Sequence, residues 1–288
     1  DCRERSRREY ALTPFGKLPD PQHLFDHDEA AQAFSDILDA RASEDEIEAF
    51  LAALSARGET MVEVAAAAQA MRDRLIPIEA PENAIDVCGT GGDGHHTLNV
   101  STAVSIVVAA CEVPVAKHGN RAASSKAGAA DTLEALGLDM ERAGRMAQET
   151  LKDLGICFLF AANHHPAMKR IQPIRQRIGQ RTIFNLMGPL ANPARVKRQL
   201  IGIARPAYVP VYAEALQYLG TEHARVISGD EGLDELSLAG GNEVAVVTPD
   251  GIRFQRVSAA DAGLPVYPVE AIRGGDAQHN ALELRKLL

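Results

Sequence analysis

The residues best suited to chemistry fall in three short polar segments. In the first, 85–102 (IDVCGTGGDGHHTLNVST), the apolar run Ile85 to Cys88 breaks into Gly89-Thr90-Gly91-Gly92-Asp93-Gly94, and Asn99, Ser101 and Thr102 then open a long apolar segment. Strand, glycine loop and helix start in that order make an anion site. Glycine admits positive φ and removes the Cβ that would hold a ligand off the amides, while a helix start offers unpaired N–H groups at the positive end of its dipole. The second segment, KHGNRAASSKAGAAD, gathers Lys117, Arg121 and Lys126 with Asn120, Ser124 and Ser125. Cations neutralise phosphate, and hydroxyls, amides and backbone N–H groups donate to its oxygens. The third, SGDEGLDELS, concentrates Asp230, Glu231, Asp234 and Glu235. Carboxylates so close repel one another, and a hard divalent cation such as Mg²⁺ offsets that repulsion while bridging to a diphosphate. Taken singly, the segments also read as a tight βα turn, a solvated basic loop and an exposed acidic turn. Taken together, they predict a site for a metal-bound diphosphate.

Gly89 to Gly94 also fits the G-x-G-x-x-G pattern of dinucleotide-binding folds. That reading wants an acidic residue near the end of the next strand to hold ribose hydroxyls, whereas the sequence there is Lys117-His118-Gly119-Asn120-Arg121. Asp93 would in addition repel a pyrophosphate unless a cation intervened. The pairs His95-His96 and His164-His165 lack the i, i+4 spacing of a helical metal pair and read as surface or substrate-shaping residues. No G-x-S-x-G motif or Cys/His nucleophile arrangement supports hydrolysis through a covalent intermediate.

Three loops at strand ends require a scaffold that brings strand ends together. After a charged, proline-marked stretch read as a tail (1–20), residues 21–80 are helical in pattern. Ser43 to Glu46 and Thr60 to Glu63 form capping boxes, Ile47, Phe50, Leu51 and Leu54 share a face, and Gly58 separates two helices. Pro77 and Pro81 bracket a linker. From about residue 81 to 288, short apolar runs alternate with helical stretches: strands are predicted at 85–88, 113–117, 156–160, 200–204 and 224–228, with a hairpin at 244–248 and 252–257. The fold class is therefore α/β, a small all-helical N-terminal domain followed by a larger domain with a mainly parallel sheet and ligands at its carboxyl ends. The basic, proline-containing stretch at about 166–190 is expected to complete the helical domain and to cover the strand ends.

The chain has 288 residues, 46% of them hydrophobic, enough for one large or two ordinary cores. No apolar run nears the roughly 18 residues of a membrane span, and the opening DCRERSRREY lacks a signal peptide's apolar region. A cytoplasmic location is predicted. A formal net charge of -9 argues against a field that attracts nucleic acid. Cys2, Cys88, Cys111 and Cys157 are too scattered for a zinc site or a disulfide framework, and the last three are expected as small buried hydrophobes.

The motifs GTGGD with TxNxST, KHGNRAASS, the stretch from Gly128 to Gly137, RTIFNLMGPLANP and GLDELS are similar to those of the anthranilate phosphoribosyltransferases, and the likeness runs from about Asp28 to the end. The resemblance implies the two-domain fold of the nucleoside phosphorylase and phosphoribosyltransferase type, a homodimer formed through the helical domain, a Mg²⁺ requirement, and transfer of phosphoribosyl from its pyrophosphate to anthranilate. By the same likeness Gly89, Gly92, Asp93, Thr97, Asn99, Val100, Ser101 and Thr102 would hold the phosphoribosyl donor. So would the segment Lys117, His118, Gly119, Asn120, Arg121, Ala122, Ala123, Ser124 and Ser125, together with Ala129. Ser101, Asp234 and Glu235 would hold the metal, with Lys117, Asp234 and Glu235 as the catalytic set. Asn120 and Arg175 would recognise anthranilate, with Gly89, His118, His165 and Pro189 along its pocket. Ala129 stands where the family often has serine, and family members usually continue into further helix beyond the position of Leu288. The alternative readings are a pyrimidine nucleoside phosphorylase, against which the acidic loop and Arg175 speak, and an inactive nucleic-acid-binding relative, against which the net charge speaks.

Overall fold

The computed structural model describes residues 18–122 and 125–287. Most of the expected tail, together with Cys2, lies outside the described residues. The N-terminal unit contains the helices His27–Leu38, Glu44–Arg57 and Met61–Arg72. Each begins with a reciprocal cap: Asp26 with Glu29, Ser43 with Glu46, and Thr60 with Glu63. These side chains satisfy donors that the first turn leaves unpaired. Phe34, Ile37, Ile47, Phe50, Leu51 and Leu54 form the apolar interior, and the buried alanines Ala65, Ala67 and Ala68 allow close approach between helices.

That interior does not end with the N-terminal helices. Ile171 and Ile174 from the helix Met168–Ile178, Ile183 and Phe184 from the short turn after it, and Ile201, Tyr212 and Val226 from the larger unit all belong to one continuous cluster. The stretch 166–190 therefore packs between the helical bundle and the sheet.

The sheet has seven strands among the described residues: β1 Ile85–Gly89, β2 Val115–Gly119, β3 Ile156–Phe160, β4 Arg198–Gly202, β5 His223–Gly229, β6 Asn242–Thr248 and β7 Gly251–Val257. Their order is β3-β2-β1-β4-β5-β6-β7. The first five are parallel, and β6 and β7 add an antiparallel edge hairpin. The chain runs outward from β1 through β2 to β3, then returns to place β4 on the other side of β1. Such a reversal leaves a crevice at the carboxyl ends of the two central strands.

Two strand boundaries differ from the apolar runs. β2 begins at Val115, because Pro114 brings no N–H to the ladder, and β4 begins at the exposed Arg198 and ends at Gly202. Cys88 and Cys157 are buried free thiols, but Cys111 is exposed. It is the C-cap of the helix Val100–Ala110, where the chain turns outward before β2, so its sequence neighbours do not enclose it.

Candidate active site

Two glycines make the room on which the site depends. Gly89 ends β1, Gly202 ends β4, and the two face each other across the ladder. A Cβ on Gly202 would lie 1.6 Å from the Asp234 carbonyl oxygen, and one on Gly89 would lie 2.3 Å from Asp234 Oδ2. Only strand ends without side chains let the acidic loop seat directly on the crevice. Asp234 Oδ2 accepts a hydrogen bond from Gly91 N–H (2.7 Å), and Glu235 Oε1 accepts one from Ser101 N–H (3.2 Å) at the start of the helix Val100–Ala110. The acidic loop is thus tied to both the glycine loop and the helix start that follows it. Gly91, Gly92 and Gly94 all have positive φ, which turns the intervening backbone sharply enough for that contact.

Lys117 on β2 points into the same place and is almost fully buried. Its ammonium donates to Val87 O (2.8 Å) and Ser101 Oγ (3.3 Å). An ammonium has three protons, so one donor remains for a ligand. Burial raises the pKa of both acidic-loop carboxyls. For Asp234, burial is followed by the nearby Asp93 carboxylate; for Glu235, pushed up to about 8, it is followed by Asp234 and opposed by Lys117. Asp93 has a buried oxygen, Oδ2, without a hydrogen-bond partner. Three carboxyls in one water-poor place, one with an orphaned oxygen, fit a divalent cation, which would favour their ionised forms. Among the described residues no group of three or more His, Cys, Asp or Glu side chains is arranged to hold a metal ion by itself. Mg²⁺ needs none, since it keeps several waters and takes one or two carboxylates together with substrate phosphates.

The cleft around these groups has a volume of about 430 Å³. Its walls include Gly89, Gly92, Asp93, Thr97, Asn99, Val100 and Ser101 from the first loop, and Lys117 to Ala122, Ser125 and Ala129 from the second. Asp234 and Glu235 close one side, and Gln172, Arg175, Phe184 and Asn185 contribute from the 166–190 stretch. The Arg175 side chain makes no hydrogen bond or ion pair among the described residues, and burial lowers its pKa, so its guanidinium is a donor set awaiting an acceptor.

Several residues singled out from the sequence serve other partners. Arg121 pairs with Asp131 (2.9 Å) and with Glu134, and lies over the Phe160 ring. Asn99 is held by Thr132, Ala127 and Asn280. Thr102, His165 and Pro189 are buried behind the cleft rather than on its wall. Ala123 and Ser124 lie outside the described residues. His118 connects the wall to what lies behind it: its Nδ1 faces Gly188 O at 2.8 Å, and its Nε2 faces His165 Nε2 at 3.2 Å. Burial, then the neighbouring imidazole, lowers His118 to about 3; burial, then His164, lowers His165 to about 4. Both rings are neutral near pH 7.

Asp86, Asn192, Asp131 and Gly202 were not singled out from the sequence. Asp86 is fully buried beneath the cleft and accepts from His118 N–H (3.1 Å), Asn192 Nδ2 (2.8 Å) and Cys88 Sγ (3.3 Å). It fixes the strand that presents Lys117 and supplies a buried countercharge. Asp131 Oδ2 accepts from Ala122 N–H and Gly128 N–H, both at 2.9 Å, so one carboxylate oxygen holds these two residues of the basic segment together. A lone carboxylate inside the run Ile85-Asp86-Val87-Cys88 was the available signal, since a buried charge requires partners.

A helical bundle packed on a largely parallel sheet, with a phosphate-suited cleft at the switch point, defines a two-domain glycosyl transferase. Residues 21–75 match the helical bundle domain of the glycosyl transferase family, and residues 81–288 match its a/b domain. The chain is 79% identical over 277 residues to the anthranilate phosphoribosyltransferase of Sphingopyxis alaskensis, covering 96% of this chain and 83% of that protein. It is 71% identical to that of Novosphingobium aromaticivorans, covering 94% and 82% respectively. The crystal structure of the enzyme from Thermus thermophilus matches with a TM-score of 0.86 at 41% identity, over 92% of this chain and 79% of that one. The enzyme from Saccharomyces cerevisiae in complex with PRPP and Mg matches with a TM-score of 0.83 at 27% identity, over 96% of this chain and 80% of that one. The chain belongs to the anthranilate phosphoribosyltransferase family.

Proposed function

We infer that this chain transfers the phosphoribosyl group of phosphoribosyl pyrophosphate to the amine of anthranilate, yielding phosphoribosyl anthranilate and pyrophosphate for tryptophan biosynthesis. The observation that carries the reading is the seating of an acidic loop on Gly89 and Gly202, which brings Asp93, Asp234, Glu235 and Lys117 to one end of a cleft that Arg175 also lines. A nucleoside phosphorylase binding inorganic phosphate has less use for a carboxylate cluster of that kind.

Asp234 and Glu235, with Ser101, would hold Mg²⁺, with Asp93 beside them. When bound, the ion supplies charge stabilisation to a departing pyrophosphate. The remaining work falls to this chain's own groups. The bond from the anomeric carbon to pyrophosphate breaks as the sugar gains oxocarbenium character, so negative charge grows on the leaving group. The free donor of Lys117 and the glycine-loop amides stabilise that charge from fixed positions. Arg175 pairs with the anthranilate carboxylate, and Asn120, exposed just after β2, contacts the ring substituents. Both orient an amine that is already nucleophilic. No strong base is needed; the neutral His118 and Gly89 line the pocket, and the neutral His165 and Pro189 support it from behind. Gly92, Asp93, Thr97, Asn99, Val100, Ser101 and Thr102 of the first loop, and His118 to Ser125 with Ala129 of the second, hold the donor directly or support those that do.

By its family likeness the chain works in the cytoplasm as a homodimer through its helical domain. No helix among the described residues is long and apolar enough to cross a membrane. Incubation with both substrates and Mg²⁺ tests the reading: anthranilate should be consumed one-for-one with pyrophosphate release, giving an N-glycoside of the expected mass. Turnover of a pyrimidine nucleoside with inorganic phosphate in place of these substrates would overturn it.

A further inference from the structure

A second cavity, of about 150 Å³, shares no residue with the cleft. It lies where three segments meet: Ser55, Ala56 and Glu59 at the end of the second helix, Gln180, Arg181 and Thr182 before the Ile183–Asn185 turn, and Arg205 with Tyr208 after β4. Its buried unmatched groups, a guanidinium nitrogen and a hydroxyl, can both donate. Arg181 makes no side-chain hydrogen bond or ion pair among the described residues, and its Nη1 is buried without a partner. The hydroxyl of Thr182, a residue only 2% exposed, is likewise buried without a partner. Arg205 has no side-chain partner among the described residues either. Arg181 and Arg205 are close enough that burial, and then the charge of Arg205, lowers the Arg181 pKa. The carboxylate in the cavity, Glu59, already accepts from the hydroxyls of Tyr208 and Ser55 (3.3 Å for the latter); its charge favours the Arg181 cation, but it makes no hydrogen bond or ion pair with either guanidinium.

Two cations facing one small cavity, with an orphaned N–H and an orphaned hydroxyl, are the complement of a compact oxyanion. Guanidinium donors suit phosphate oxygens in paired geometry, and a buried donor left without an acceptor is a cost that such a ligand would recover. We propose that this cavity is a second anion site, separate from the catalytic cleft, that takes a single phosphate group, free or at the end of a small phosphorylated molecule, between Arg181, Arg205 and the Thr182 hydroxyl. Its occupant would tie the helical bundle to the segment leaving β4, whose Ala204 carbonyl lies beneath the acidic loop, 3.1 Å from where a Cβ on Gly232 would fall.

The test is calorimetric titration of the full chain with inorganic phosphate and, separately, with pyrophosphate, repeated on Arg205→Gln, Arg181→Gln and the cleft variant Lys117→Met. The expected result is phosphate binding that survives Lys117→Met and weakens at least tenfold in Arg205→Gln and Arg181→Gln. Arg205 is exposed, so its variant keeps the fold whether or not Arg181→Gln does, and its turnover should stay within twofold of the unmodified chain. Phosphate binding unchanged by Arg205→Gln, abolished by Lys117→Met, or absent altogether would overturn the proposal. Binding of pyrophosphate without phosphate would overturn it too, because the cavity is argued for one phosphate group. A failure of the transferase reading would leave these titrations unaffected.

Discussion

Replacing Gly202 with alanine perturbs the seat of the acidic loop, since the three atoms nearest the added Cβ all belong to Asp234. The added Cβ would stand 1.6 Å from the Asp234 carbonyl oxygen, 2.5 Å from its carbonyl carbon and 3.2 Å from its Cα. All three are backbone atoms, so no side chain can swing away; the loop must lift by roughly 2 Å to restore ordinary carbon–oxygen contact near 3.5 Å. Overpacking of this kind costs about 1–3 kcal/mol of stability, which a two-domain chain survives. Catalysis is less tolerant, because a displacement of about 1 Å can cost about 100-fold when groups must meet in fixed geometry. Gly202→Ala is therefore expected to lower kcat by about 100-fold or more while circular dichroism and the unfolding midpoint show a folded protein. The assay is continuous pyrophosphate release at saturating substrates and Mg²⁺. A variant with kcat within threefold of the unmodified chain would refute the reasoning, since the acidic loop would then not need its seat.

Three further expectations rest on the same geometry. Asp234→Asn combined with Glu235→Gln should reduce kcat by about 100-fold or more and leave the Michaelis constant for anthranilate within a few-fold, because these carboxyls serve the leaving group; unchanged turnover at limiting Mg²⁺ would defeat the assignment. Arg175→Ala should raise the Michaelis constant for anthranilate about tenfold to a hundredfold, the worth of about 1.5–3 kcal/mol for hydrogen bonds to a charged group; an unaltered constant would count against the carboxylate contact. His118 and His165 have folded pKa values depressed to about 3 and about 4, below the ordinary value of about 6.5 in the unfolded chain. The unfolded state therefore binds more protons between these limits, and stability is lost as pH falls below about 6.5. From there to pH 5 each ring contributes a loss of about 2 kcal/mol, at about 1.4 kcal/mol per pH unit. Urea unfolding at pH 7 and pH 5, for this chain and for His118→Gln with His165→Gln, should show that loss shrinking in the variant; an identical pH dependence in both would contradict the buried neutral pair.

Much of this architecture is legible in the sequence because strands and loops announce themselves locally. The runs at Ile85, Ile156 and Ala224 alternate with helical stretches, and the hairpin around Asp250-Gly251 carries its own turn signal. Capping residues Ser43 and Thr60 sit where the helices begin. Less legible is whatever depends on residues distant in sequence. Gly202 looks like any strand glycine until Asp234 is placed above it, and Arg121 looks free for phosphate until Asp131 and Glu134 fold against it. Asp86 reads as part of an apolar run, although its partners His118 and Asn192 come from two other segments. His165 and Pro189 are near the cleft in family pattern, but both are buried off its wall, His165 against the His118 ring and Pro189 with its carbonyl held by Gln199.

The central claim is that the glycine, basic and acidic loops form one metal-dependent phosphoribosyl site facing an aromatic carboxylate. Pyrophosphate release measured with each of anthranilate, phosphoribosyl pyrophosphate and Mg²⁺ omitted in turn tests it most directly. The account predicts release only when all three are present, restored by adding back the missing one. Release at an undiminished rate without Mg²⁺, or without anthranilate, would contradict it.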